Sequence, residues 1–409
     1  MEHVTDYWVA ARRHLLPPQA RAVESLRKHG PLTRTDLADV TGYSRSTMTS
    51  VVNELEEIGI VVETGDGEST GGRRPRVVNF RRDYGYVIGV DMGATSLEVA
   101  LADFSGAILE RVLVPIDVRE GPDITLAQVQ RLALDQIRQH EVRPEQVLAL
   151  GIGVPGPVEF ASGVLNAPPI MPGWNRHPIR PFFREAFPNA LVIVDNDVNV
   201  MALGELTAGA GISHDNWFFV KVGTGIGCGI VCGGQIYRGA NGSAGDIGHI
   251  CADKNGPTCH CGNVGCLEAI AAGPPIAARA AEAARAGRSR ILAKYLEQGG
   301  GRLTAIEVGL AAEEGDKIAN EIVRESGRAI GEVLASLVNF YNPSLILIGG
   351  GVSNIGLMFL SSIRSGIFSR SLPLATRNLR IDASPMREDA GVVGASALAL
   401  THVFADVRG

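Results

Sequence analysis

Apolar residues near the start of the chain recur at helical spacing in three short runs. In Gln19 to Lys28, Ala22 and Leu26 share one side of a first helix, which Gly30-Pro31 ends. Thr33-Arg34-Thr35-Asp36 then resembles a helix cap with an acidic N3 residue, opening a short second helix with Leu37 and Val40 inward and Gly42 as its stop. Ser44 caps a third helix in which Met48, Val51, Val52 and Leu55 fall at i, i+3, i+4 and i+7, leaving Arg45, Ser46, Thr49 and Asn53 on other faces. Two helices joined by a short turn, the second polar near its N-terminus, form a helix-turn-helix unit. Gly59 to Thr64 reads as a strand, Gly65 to Gly72 as a flexible turn and Arg76 to Phe80 as the returning strand, so a wing follows the helices.

From Asp83 onward the helical pattern gives way to buried strands that end in glycine turns. Tyr86 to Asp91 is a strand ending in a carboxylate, and Met92-Gly93-Ala94-Thr95 turns tightly into a second strand, Leu97 to Ala102. Lys221 to Gly229 holds another such turn around Thr224 and Gly225, and Gly349-Gly350-Gly351 follows the apolar strand Leu345 to Ile348. Backbone N–H groups and hydroxyls in such turns can cradle phosphates. Singly each is an ordinary turn; together they predict a nucleotide cleft between two lobes. Asn196 and Asp197, directly after the strand Leu191 to Val194, are placed for sugar hydroxyls, with Asp197 as a candidate base. The other reading is a helix cap, because Asp197-Val198-Asn199 precedes the helical run Val200 to Leu206.

One stretch carries metal chemistry. Asp246 to Glu268 places His249, Cys259, Cys261 and Cys266 where four ligands of Cys3His type close on one zinc ion. Four protein ligands leave no position for an activated water, so the expected Zn2+ is structural. It would fold a loop rich in Gly, Asn and Lys and hold Asp246, Glu268 and the second nitrogen of His249 in fixed geometry. Unmetallated cysteines, or a disulfide, are the alternatives.

Composition changes this picture in three ways. At 409 residues, the chain is long enough for two or three domains. Of its six cysteines, three are proposed zinc ligands in one loop, which points to a reducing, cytoplasmic compartment, and no apolar run approaches a membrane span. The net charge of −6 speaks against bulk attraction to nucleic acid. Residues 1–83 hold 12 basic and 12 acidic groups, so a DNA-binding face there rests on local clustering of arginine. Gly71 to Arg76 supplies it: Arg73 and Arg74 are candidates for a narrow minor groove, and Arg45, Ser46 and Thr49 for base edges. A protein-interaction module with a solvated basic hairpin is the bland counterpart.

Taken together, these residues resemble the ROK family, the repressors, open reading frames and kinases of bacterial sugar metabolism. The zinc loop is the most specific element, and the likeness runs to Ala390-Gly391-Val392-Val393-Gly394. The resemblance implies an α/β, two-lobed actin-like and hexokinase-like (ribonuclease H-like) ATPase fold behind a winged helix-turn-helix. Residues 1–83 would form the DNA-binding domain, 84–198 with 384–409 the first lobe, and 199–383 the second lobe with the zinc loop. It further implies hexose binding through Asn196, Asp197, His249 and Glu268, with Asp246 standing where the family carries Glu. Asp91, Gly93, Thr95, Thr224, Gly225 and Gly350 match the nucleotide positions, but Ala94 and Ser96 depart from the Asp-x-Gly-Gly-Thr-Lys pattern of the kinases. The expected function is therefore a sugar-responsive regulator, a repressor above all. It would bind a palindromic DNA operator as a homodimer or homotetramer and take a hexose or amino-sugar effector. The alternative is an ATP-dependent, glucokinase-like hexose kinase using Mg2+, with Asp197 as its catalytic base, and a bifunctional protein is the third reading.

Overall fold

The computed structural model describes residues 15–65 and 76–403. Arg73 and Arg74, the minor-groove candidates, lie outside the described residues.

The N-terminal segment forms helices α1 (Pro17–His29), α2 (Arg34–Thr41) and α3 (Arg45–Glu57), then the antiparallel strands β1 (Val61–Thr64) and β2 (Val77–Phe80), with Val61 opposite Phe80 and Thr64 opposite Val77. Local chemistry sets the helix ends. The Thr33 side chain accepts from the Asp36 N–H while the Asp36 carboxylate accepts from the Thr33 N–H, a reciprocal cap. Gly42 closes α2 at φ 77°, and the Ser44 hydroxyl accepts from the Thr47 N–H at the start of α3. Met48, Val51, Val52 and Leu55 are buried, as their spacing predicts. Val40 is not: it is 45% exposed, and α2 buries Leu37, Ala38 and Thr41 instead. At about 100° per residue, Ala38 and Thr41 lie on one side of Leu37 and Val40 on the other. The helix therefore turns its Ala38–Thr41 side inward.

Two five-stranded sheets follow, and they repeat one topology. The first, in the order β5-β4-β3-β6-β9, comprises β3 (Tyr86–Met92), β4 (Ser96–Asp103), β5 (Ile108–Pro115), β6 (Val147–Val154) and β9 (Leu191–Asn196). A small hairpin of β7 (Val158–Glu159) and β8 (Val164–Leu165) interrupts the chain between the last two. The second sheet, in the order β12-β11-β10-β13-β14, comprises β10 (Trp217–Val222), β11 (Ile226–Cys232), β12 (Gln235–Ile236), β13 (Leu345–Gly349) and β14 (Arg380–Ala383). In each, an antiparallel meander supplies one side and two parallel crossover strands the other. Parallel strands need covered faces, and β6 is buried at every position.

Helix α4 (Pro122–Gln139) covers the first sheet, while α5 (Asp197–Ala208) and a later helix, α10 (Asp389–His402), cross against each other. The crossing is close: a side chain at Gly394 would meet the Val200 carbonyl at 1.8 Å, and one at Gly204 the Ala390 carbonyl at 2.2 Å. Helix α10 is buried on nearly all sides, which explains its almost unbroken run of Ala, Val, Leu and Gly. On the second sheet, α7 (Gly273–Arg285), α8 (Lys317–Tyr341) and α9 (Leu357–Arg370) form a separate apolar core. The short α6 (Leu267–Ala271) leads out of the cysteine loop into α7.

The winged segment does not hang free. Its core runs without a break from Ala22, Leu26 and Phe80 into Ala102, Phe104, Leu398 and Val403. Phe80 and Phe104 meet edge to face at 5.4 Å, and the Arg27 guanidinium lies 5.0 Å and 5.3 Å from their ring centroids. Among the described residues, no helix is long and apolar enough to cross a membrane.

Candidate functional site

The carboxyl ends of β3, β9 and β10 converge where the two sheets face each other. Asp91 sits near the end of β3; burial pushes its carboxyl up to about 6, against the pull of the Lys221 ammonium, and its Oδ1 is buried with no hydrogen-bond partner. Gly93 and Thr95 form the following turn, the Gly93 N–H donating to the Ser96 carbonyl at 2.8 Å. Ala94 is not among the residues with positive φ, so this turn forms without the glycine dihedrals that the family pattern suggests. Thr224, in the turn between β10 and β11, is exposed, and Gly350, after β13, takes φ 84° with the Val222 carbonyl close behind it.

Asn196 and Asp197 open α5. The Asn196 carbonyl oxygen accepts from the N–H groups of Val198 and Asn199, and its NH2 donates to the Gly156 carbonyl at 2.9 Å. The cap reading thus applies to Asn196 in full, and any ligand contact must use what capacity is left. Asp197 is buried, with Oδ1 accepting from the Val198 N–H at 2.9 Å and Oδ2 paired with the Lys221 ammonium. Burial disfavours the Lys221 charge, but Asp197 and Asp91 outweigh it and hold the ammonium above its ordinary range. Beside them, buried Asp195 binds Arg238 at 2.8 Å and Asn199 at 3.1 Å, and Arg238 stacks 3.9 Å over Phe160.

Sequence reasoning assigned no role to Lys221, Asp195 or Arg238. The signal for Lys221 was there: a lone cation in Trp217-Phe218-Phe219-Val220-Lys221-Val222, an otherwise apolar strand. A cation in such a run needs a carboxylate partner.

The cysteine loop packs on the β10–β11 hairpin. The ligand atoms of His249, Cys259, Cys261 and Cys266 all lie within 4.8 Å of one another. Cys261 Sγ is 3.7 Å from Cys266 Sγ, too long for a disulfide, and His249 Nδ1 is 3.6 Å from Cys259 Sγ. Tetrahedral zinc with bonds of about 2.3 Å to sulfur and about 2.0–2.1 Å to nitrogen requires edges of about 3.8 and 3.6 Å. The donor set therefore fits that ion. Burial and the neighbouring thiols push Cys266 up to about 12, a cost that a bound cation removes because coordinated thiols are deprotonated.

With Nδ1 turned to the sulfurs, His249 Nε2 faces Asp246, whose Oδ1 is 3.8 Å away, a gap that one hydroxyl would bridge. Glu268 is fixed by the Ile226 N–H, which donates to Oε2 at 3.1 Å; a side chain at Gly225 would meet the same oxygen at 2.5 Å. Gly225 is thus required for Glu268 to dock on the turn, which ties the cysteine loop to the β10–β11 hairpin. Val198, next to Asp197, packs against Gly227 of the same hairpin, so the residues opening α5 and the docked Glu268 share the β10–β11 hairpin as a support.

On the winged segment, Arg45, Ser46 and Thr49 are all exposed on the N-terminal half of α3. Residues 87–402 match the model of the ROK family, and residues 15–71 that of the MarR family. The chain belongs to the ROK family. It is 30% identical to the xylose repressor of Caldicellulosiruptor bescii, with 91% of this chain and 92% of that one covered. Among solved structures it is similar to a ROK family transcriptional regulator, a homologue of the Escherichia coli Mlc protein, with a TM-score of 0.81 at 26% identity over 94% of this chain and 96% of that one. A ROK family glucokinase from Streptomyces griseus, solved with glucose and AMPPNP, aligns with a TM-score of 0.68 at 30% identity, covering 77% of this chain and 99% of the kinase. The paired sheets are thus the hexokinase-like α/β fold, carried here behind a MarR-like winged segment.

Proposed function

We propose that this ROK protein is a sugar-responsive transcriptional regulator of the repressor type. The observation that carries the reading is the union of an exposed polar face on α3 with a sugar-type cleft through one continuous core. Arg45, Ser46 and Thr49 read base edges, while Arg73 and Arg74 extend the contact into the minor groove. Asn196, Asp197, Asp246, His249 and Glu268 bind the sugar, and His249, Cys259, Cys261 and Cys266 hold a structural Zn2+. Asp91, Gly93, Thr95, Thr224, Gly225 and Gly350 are what the chain retains of a nucleotide site. A homodimer would present two copies of α3 to a palindromic operator. The sugar regulates by binding two arrangements of the lobes unequally, since only differential affinity moves such an equilibrium.

The relative's name puts xylose beside the hexoses and amino sugars as candidate effectors. The kinase reading is disfavoured because both oxygens of Asp197 are engaged, one by its own helix and one by Lys221. Lys221 already holds the oxygen that a general base would offer to the substrate proton, while the remaining lone pairs can still accept a sugar hydroxyl.

The test is a thermal-shift panel of pentoses, hexoses, amino sugars and N-acetylated sugars, run beside coupled ATP turnover on the same sugars. A regulator shows a sugar-specific rise in Tm without ATP consumption; turnover abolished by Asp197→Asn would make the protein a kinase instead. In the same assay, Cys261→Ser is expected to lose zinc by elemental analysis and to lose the sugar shift with it. An unchanged sugar shift in the zinc-free variant would remove the metal from the account of the site.

A further inference from the structure

Lys221 occupies more of the cleft than an ordinary ion pair requires. Its stem runs between two of the three glycine turns: a side chain at Gly350 would meet Lys221 Cγ at 3.0 Å, and one at Gly223 would meet Cε at 3.8 Å. Its head reaches Asp197 Oδ2 across the mouth between the sheets and lies within electrostatic reach of Asp91. The side chain is only 22% exposed, so the chain's own ammonium is held on Asp197, with Asp91 near enough to feel its charge. In phosphoryl transfer a divalent cation, held by a carboxylate and bridging the phosphates, neutralises charge in this kind of position. The residues present do not suit Mg2+ here, because the cationic place is already filled by a group that no ligand can displace without leaving buried Asp197 unpaired beside Asp91.

We propose that Lys221 is a built-in counter-ion that replaces the divalent cation of the cleft, so that the site takes a neutral sugar without metal or nucleotide and holds Asp197 out of proton transfer. This deepens the regulatory reading above and rests on it for the identity of the ligand. The placement of charge does not depend on any sugar. Lys221 acts through Asp197 and Asp91 and is a positioning residue. At a pH where both are ionised, its removal should open Asp197 and Asp91 to a divalent cation, whose charge offsets the repulsion between two neighbouring anions.

The experiment uses the full-length, zinc-loaded protein and follows Mn2+ binding through the EPR signal of the free ion. Wild type and the charge-conserving Lys221→Arg should bind no Mn2+ that Asp91→Asn removes. Lys221→Ala should gain one site per chain with affinity at least about tenfold above wild type, and Lys221→Ala with Asp91→Asn should lose it again. Should Lys221→Ala lack a cooperative melting transition, Lys221→Ser serves as the second variant. Two results overturn the proposal: wild type binding Mn2+ in an Asp91-dependent manner, or a folded Lys221→Ala or Lys221→Ser gaining none. Because the readout contains no sugar, failure of the sugar reading in the thermal-shift panel leaves this outcome separately interpretable.

Discussion

Asp91 shows how one residue of this cleft works against stability. Burial raises its carboxyl to about 6 from an ordinary value of 3.8, so between those limits the folded state binds more protons than the unfolded one. Stability from this group is therefore fully present below pH about 4, falls as pH rises through about 6 and is flat above. At pH 8 the ionised, half-satisfied carboxylate costs about 1–3 kcal/mol. Asp91→Asn keeps the shape and removes the titration, so urea unfolding should find the variant more stable than wild type by that amount at pH 8, with the gap closing toward pH 4.5. A variant less stable than wild type at pH 8 would contradict the burial argument. Residues that stay expensive in this way point to retained function. That Asp91 ends a strand before a glycine turn is legible in the sequence. That the Lys221 charge would act on it is not, because the two residues lie on different sheets and come near each other only once the fold has brought the ends of β3 and β10 together.

At the scale of elements, what repeats along the chain was readable and what crosses between elements was not. The burial of Met48, Val51, Val52 and Leu55 follows from period alone, and the cysteine loop follows from ligand spacing. Val40 escaped because an eight-residue helix can roll about its axis without breaking its pattern, and here Ala38 and Thr41 take the inward side. Arg34 escaped for another reason: it reads as one residue of a cap, yet its guanidinium joins three elements. From α2 it binds Glu63 of β1 and reaches the Thr49 carbonyl at 3.1 Å, Asn53 at 2.7 Å and Glu56 at 3.2 Å on α3. It thereby sets the base of the wing against the helix that carries Arg45 and Thr49. A partly buried network of this kind has more to do with geometry than with net stability. Arg34→Ala is expected to weaken binding to operator DNA about five- to tenfold, measured by fluorescence anisotropy, while the melting of the sheets and the sugar shift stay as in wild type. Unchanged DNA affinity would show that the wing and α3 hold their relation without it.

Across the whole molecule, the sugar cleft and the winged segment are linked by two structural bridges. One is the apolar seam in which α10 ends against Phe104, Phe80 and the stacked Arg27. The other is Arg238, which leaves the second sheet just after β12, binds Asp195 at the end of β9 and covers Phe160 near the β7–β8 hairpin. Asp195 adjoins Asn196 and Asp197, so any shift of those residues by a ligand strains the clamp between the sheets. His402, at the end of α10, lies tilted against the same Phe160 at 5.7 Å and joins the clamp to the seam. Packed interfaces pass between discrete arrangements more readily than they bend, which makes such a clamp suited to two states. If it carries the coupling, wild type should show a sugar-dependent change in operator affinity of about 5- to 150-fold, the range for a coupling of about 1–3 kcal/mol. Arg238→Ala should reduce that change to about twofold or less while sugar still raises Tm. Anisotropy titrations of both proteins, with and without the sugar that gives the largest thermal shift, measure the ratio directly. Arg238→Ala that keeps the full wild-type ratio would place the coupling in the apolar seam alone, where Arg27→Leu is the variant that must then abolish it.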